Sequence, residues 1–104
     1  MKKNIEIVLH EKVEEFIFNL QERDKSKILQ ILSVIEERNF EVPSEWLKKV
    51  KENLWELRIR NFRFLYSIEG HTIKIWHGFA KKTMKIPKRE IELALKRMKQ
   101  EGLR

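Results

Sequence analysis

The 104-residue sequence contains no cysteine. That removes thiol nucleophiles, thiolate zinc sites and iron–sulfur clusters, and it makes a disulfide-stapled secreted scaffold impossible. A reducing cytoplasm is the expected compartment. Long apolar runs are missing too: nothing approaches the roughly 20 residues that a membrane span requires. The amino terminus, MKKNIEIVLHEKVEEF, meets charge too early for a secretory signal. A soluble, intracellular protein with no membrane partner is expected. Glycine and proline number only three and two, and no low-complexity linker or internal repeat divides the chain. Walker, GxGxxG, GxSxG and HExxH patterns are absent, which takes away nucleotide-cofactor, serine-hydrolase and zinc-protease chemistry. His10 and His71 have no carboxylate or histidine at ligand spacing, so no metal and no other cofactor is expected.

What remains is the composition of a folded domain with an uneven charge. Charged residues make up 38% of the chain, but 41% is hydrophobic, with six Phe and three Trp. That is enough apolar material for a core that needs no disulfide or structural metal. One domain over residues 1–104 is expected. The net charge is +7. Residues 1–45 carry 7 Lys/Arg against 10 Asp/Glu, whereas residues 46–104 carry 16 against 6. Solubility does not require the signs to be segregated in this way. The basic second half therefore points to an anionic partner, nucleic acid ahead of a membrane surface.

Periodicity predicts the order of elements. Ile5, Ile7 and Leu9 alternate as in a short strand. Val13, Phe16, Ile17 and Leu20 recur at helical spacing, and Ile28, Ile31, Leu32 and Ile35 repeat the pattern after a polar break, which makes a helical hairpin. Its acidic residues, among them Glu11, Glu14 and Glu36, are expected on solvated faces. Asn39 to Lys51 reads as a loop, with one turn of helix around Ser44 to Leu47. Trp55, Leu57 and Ile59 then alternate with Glu56, Arg58 and Arg60, and Phe62, Phe64 and Tyr66 share a face with Arg63 opposite. Thr72 to Phe79 is apolar on both faces, as in a strand inside a sheet. After Pro87, Ile91, Ala94, Leu95 and Met98 mark a last helix that Gly102 ends. The order β-α-α-β-β-β-α predicts an α+β domain, with the N-terminal helical hairpin packed on one face of a mainly antiparallel sheet and a C-terminal helix. The other face of the sheet is left for function.

Two basic constellations stand out. KKTMKIPKR, Lys81 to Arg89, holds five cations in nine residues. It is either a solvated loop before a helix or a phosphate-binding segment that releases counterions from a polyanion. Arg58, Arg60 and Arg63 fall on strands, where a rigid backbone positions a guanidinium for bidentate phosphate contact. Glu56 shares the face of Arg58, as a structural ion pair or as a proton acceptor. His77 is either a satisfied core group or a general acid or base. Trp46, Trp55 and Trp76 are base-stacking platforms or core residues, with core packing the better reading for Trp55.

Taken together, Leu54 to Met98 resembles the phage-derived, HigB-like branch of the RelE/ParE toxins. The likeness lies in the LWELR strand, an arginine followed by aromatics ending in Tyr66, and HGFAKK leading into PKREIELA. The resemblance implies a RelE-like fold. It also implies the toxin of a type II toxin–antitoxin system, an endoribonuclease that cleaves mRNA in association with the ribosome and inhibits translation. A helix-turn-helix, HigA-like antitoxin would neutralise it. The family's functional pattern falls on Glu56, Arg58, Arg63, His77, Lys81 and Lys82.

Those residues suit a metal-independent reaction. The RNA 2′-OH attacks the adjacent phosphorus, Glu56 or His77 accepts its proton, and Arg58 and Arg63 stabilise the added charge. Lys82 neutralises the phosphate or assists the departing 5′ oxygen, while Lys81, Lys85, Arg60 and Lys49 form the expected RNA-binding set. Two other functions are open: a ParE-like, non-enzymatic inhibitor of DNA gyrase, and an RNA- or ribosome-binding module without chemistry. Fold likeness alone does not separate them.

Overall fold

The computed structural model describes residues 5–41 and 43–101. Gly102, the expected end of the last helix, lies outside them. The chain begins with strand β1 (Glu6–Leu9), followed by helices α1 (Glu11–Phe18) and α2 (Glu22–Glu37). A 3-10 turn at Ser44–Trp46 leads into β2 (Leu47–Lys51), β3 (Leu54–Ile59), β4 (Phe62–Glu69) and β5 (Thr72–Ala80), and helix α3 (Lys88–Gln100) closes the order. His10 caps α1, its Nδ1 accepting the Lys12 N–H at 3.0 Å. Val13 and Ile17 form the buried stripe of α1, and Ile28, Leu32 and Ile35 that of α2. Helix α2 stops where Asn39 and Phe40 adopt left-handed φ of 51° and 71°, and the Phe40 N–H folds back to the Ile35 carbonyl at 2.8 Å.

The five strands lie in the order β1-β5-β4-β3-β2. Strand β1 runs parallel to β5, and the other neighbours are antiparallel. The α+β class, the mainly antiparallel sheet, the N-terminal hairpin and the terminal helix are as expected, in a RelE-like arrangement. Alternation puts Leu57, Ile59, Phe62, Phe64 and Tyr66 against the helical hairpin, in the larger core.

Three details differ from expectation. First, Leu47–Lys51 is an edge strand rather than loop. Only Leu47 and Val50 are apolar there, and a bulge between Lys49 and Lys51 breaks the period, so the sequence lacks a strand's alternation. Second, the far face of the sheet is not left free. Helix α3 covers part of it, burying Ala94 and Met98 against Leu54, Leu65, Trp76 and Phe79. Third, Glu36 leaves the solvated face to accept the Ile7 N–H at 2.9 Å, and Asn39 accepts that of Ile5 at 3.2 Å, which closes the open edge of β1.

A bulge in β5 decides which side chains reach the α3 side. Leu65 pairs with His77, but Tyr66 pairs with Ile75, so Trp76 is the extra residue. Beyond it the alternation is inverted. His77 and Phe79 join the α3 side, where their rings stack at 5.5 Å, and Gly78 turns toward the hairpin. There it touches its neighbours so closely that an added Cβ would stand 2.6 Å from the Phe64 ring and 3.0 Å from that of Phe16.

Candidate functional site

The part of the sheet that α3 leaves open is built on Glu56. Its strand places Glu56 and Arg58 on the same side, and the pairing of Arg58 with Arg63 brings a second guanidinium beside them. Glu56 is only 1% exposed. Its Oε1 accepts from Arg58 Nε at 3.2 Å, and its Oε2 lies 3.4 Å from Arg63 Nε. That second contact is an ion pair without hydrogen-bond alignment, and among the described residues Arg63 Nε has no other partner. Arg63 Nη1 instead donates to the carbonyls of Arg60 at 2.7 Å and Phe62 at 2.8 Å. With 11% of its side chain exposed, Arg63 clamps the carboxylate to the β3–β4 turn. Burial lowers its pKa from the usual guanidinium range, Glu56 pulls it back up, and Arg58 lowers it further. Arg58, 37% exposed, presents the remainder of its guanidinium outward.

Arg58 and Glu56 line a groove of about 220 Å³ between β2 and the loop that precedes α3, together with Lys48, Lys81, Lys85, Val50, Met84, Ile86 and Ile91. Lys48 stands directly across from Glu56. Sequence reading missed it, because its signal is alternation within a strand too short and bulged to recognise. Lys49 also borders the groove, but its ammonium is 5.6 Å from the Trp55 ring centroid on the opposite face of the sheet. The loop is shaped by the Lys81 N–H donating to the Asn61 carbonyl at 2.7 Å and by Thr83 Oγ1 donating to the Lys85 carbonyl at 2.6 Å.

Other residues singled out in the sequence lie apart from this groove. Arg60 is not on a strand: it sits in the β3–β4 turn with φ 55°, its guanidinium 3.8 Å from Asp24 of α2 on the hairpin side. Lys82 lies on the other flank of the loop, in a separate groove of about 430 Å³ with Phe16, Phe79, Arg89 and Glu90. Trp76 is buried beneath α3 and donates through Nε1 to Ser67 Oγ at 2.9 Å. Trp46 and Trp55 pack on the hairpin-side core.

His77 is enclosed between β5 and α3. Nε2 lies 2.5 Å from Glu90 Oε1, and Nδ1 accepts from Arg97 Nη1 at 3.2 Å, while Arg97 also donates to the Trp76 carbonyl at 2.8 Å. An arginine carries only donors, so this network assigns Nδ1 as acceptor and leaves the proton on Nε2, toward Glu90. Burial lowers the His77 pKa; Glu90 opposes that and Arg97 adds to it. Both ring nitrogens are taken by α3, and neither faces the groove.

The groove thus offers cations from two strands and a loop, one carboxylate with both oxygens paired, and apolar side chains beside them. Such a surface holds phosphate and can stabilise charge that builds on it. Among the described residues no helix is long and apolar enough to cross a membrane. Compared with known proteins, residues 15–99 match the model of a family described as phage derived protein Gp49-like (DUF891). No curated protein matches the chain.

Proposed function

Because the chain belongs to this Gp49-like family, a RelE/HigB-like toxin family of toxin–antitoxin systems, we propose that it is a type II toxin acting as a metal-independent endoribonuclease on mRNA. The observation that carries this reading is the meeting of Glu56, Arg58, Lys48, Lys81 and Lys85 in one groove. Phosphate and the Glu56 carboxylate are rivals for Arg58. An entering phosphodiester draws Arg58 outward, which its exposure permits, while buried Arg63 keeps hold of the other carboxylate oxygen. The released Oε1 then accepts the proton of the 2′-OH as that oxygen bonds to phosphorus. The bond to the 5′ oxygen breaks, and Lys81 or Lys85 returns a proton to it, leaving a 2′,3′-cyclic phosphate and a 5′-OH. Arg58 and Lys48 stabilise the extra negative charge between these events. A divalent ion entering the groove would face four cationic side chains and one carboxylate, so the protein's own cations supply the charge. DNA, without the nucleophile, stays intact.

In this reading His77 fixes α3 instead of moving a proton, and Lys82 with Arg89 guides the strand beyond the groove. The substrate is mRNA on the ribosome, and the neutralising partner is a helix-turn-helix, HigA-like antitoxin. A second reading, an RNA-binding module without chemistry, is favoured by one observation: the free protein pairs both oxygens of Glu56 and both nitrogens of His77.

Expression of the chain and of Arg58→Ala, with mapping of 5′ ends and cyclic phosphates on cellular mRNA, tests the proposal. Cleavage should fall about 100-fold or more in the variant, as for loss of a transition-state donor. RNA that is bound but never cut establishes the module instead, and intact mRNA with arrested DNA replication points to gyrase.

A further inference from the structure

Among the described residues Met84 is 91% exposed, although it is one of the more apolar side chains of the chain. It stands between Lys81 and Lys85 on the loop and lines the same groove as Arg58, where Val50, Ile86 and Ile91 continue its apolar flank. The groove therefore presents both cationic and aliphatic side chains. A ligand that matches both is one nucleotide, with its phosphate on the cations and its base on the aliphatic surface. A space of about 220 Å³ lies below the usual range of drug-sized pockets, about 300–1,000 Å³, and suits one such unit rather than several.

We infer that this flank, with Met84 as its outer wall, is a base-binding subsite that prefers a purine and does not distinguish adenine from guanine. The inference rests on the nucleic-acid reading of the groove and adds a specificity to it. Purine preference follows from contact area: a two-ring base covers more of the thioether and aliphatic surface, and methionine sulfur gains from an aromatic face. Indifference between adenine and guanine follows from the lining. Among the described residues it contains no Asn, Gln, Ser or Thr to read a base edge, and the Glu56 carboxylate keeps one oxygen on Arg63 and turns the other to the ribose 2′ position rather than to the base. The cations are engaged by phosphate.

The test uses fluorescently labelled 2′-O-methyl pentanucleotides, which resist cleavage, with uridine at four positions and A, G, C or U at the centre. Anisotropy titration of the full chain should give equal affinity for the two purine oligomers and about fivefold weaker binding of the two pyrimidine ones, a ratio within reach of one sulfur–aromatic contact. Met84→Ala, a change at an exposed position, should bring the purine-to-pyrimidine ratio to about one while every oligomer still binds, and Met84→Leu should retain most of it. Arg58→Ala should weaken all four equally and preserve the ratio. Equal binding of all four by the unmodified chain overturns the subsite, as does a difference between A and G as large as that between purine and pyrimidine. Failure of the unmodified chain to bind any oligomer removes the nucleic-acid reading itself. If an acidic peptide with leucine anchors binds in their place, the groove belongs to a protein partner.

Discussion

Replacing Glu56 with Gln changes one oxygen to an amino group and leaves two guanidiniums facing a neutral amide. The amide oxygen can still accept from Arg58, which is exposed enough to find water. Arg63 has neither option. Its Nη1 is pinned by carbonyls at 2.7 and 2.8 Å, its side chain is 11% exposed, and its Nε would now face another donor. Stranding a buried charge costs about 3–5 kcal/mol. The two carbonyls that remain on Arg63 reduce this, so a loss of about 2–3 kcal/mol is expected, a large part of the roughly 5–15 kcal/mol that holds a domain together. The melting temperature should fall by about 10–20 °C. Urea unfolding followed by tryptophan fluorescence measures the change, and the double variant Glu56→Gln/Arg63→Met checks its cause. Removing the stranded guanidinium should recover most of the loss. A Glu56→Gln protein within about 0.5 kcal/mol of the parent, or a double variant less stable than the single one, would refute the view that Glu56 exists to neutralise Arg63.

The Tyr66 hydroxyl is buried without a hydrogen-bond partner among the described residues, and burial raises its pKa; Tyr66→Phe should be neutral or stabilise by about 1 kcal/mol in the same urea assay. Gly78→Ala should cost about 1–3 kcal/mol, because its Cβ would press on the closed core around the Phe64 ring, 2.6 Å away. His77 has a pKa lowered by burial in the folded state, so the unfolded chain binds its proton first as pH falls. Its contribution is fully present above the ordinary imidazole value near 6.5 and is lost as pH drops through and below it, by at most about 1.4 kcal/mol per pH unit for one proton. Gln can donate to Glu90 and accept from Arg97 without titrating, so His77→Gln should flatten this part of a stability profile between pH 8 and pH 5; parallel profiles would contradict the assignment.

The helical hairpin, the three long antiparallel strands and α3 were legible because each carries a period that its environment enforces. Ile28, Leu32 and Ile35 make a helical stripe, and Phe62, Phe64 and Tyr66 alternate with Arg63 as one face of the sheet requires. Strand β2 was not legible. An edge strand needs few apolar residues, and here a bulge removes even the alternation of Leu47 and Val50. The same reason hid Lys48, which stands across from Glu56, whereas Lys49 borders the groove from a position whose ammonium reaches the Trp55 ring. Arg60 looked like a strand residue because nothing in its side chain marks a left-handed turn, a conformation that glycine or asparagine would have announced.

The segment from His77 to Lys82 explains why a contiguous motif need not be a contiguous site. One extra residue at Trp76 sends His77 toward α3, and the loop then sends Lys81 and Lys85 into one groove and Lys82 into another. What holds the groove together is instead the buried carboxylate of Glu56, which the folded chain cannot leave unpaired. Arg63 is committed to it by burial, but Arg58 is shared between the carboxylate and solvent. A guanidinium in that position is held beside the groove before any ligand arrives, and it can change partners from carboxylate to phosphate without a new charge being buried. In the proposed reaction that exchange both frees the Glu56 oxygen and brings Arg58 onto the phosphate. It also makes the stability of the sheet and the readiness of the groove depend on one residue, so substitutions at Glu56 should disturb both, whereas substitutions at Arg58 should disturb the groove and cost the fold less, because Arg63 still pairs with the carboxylate.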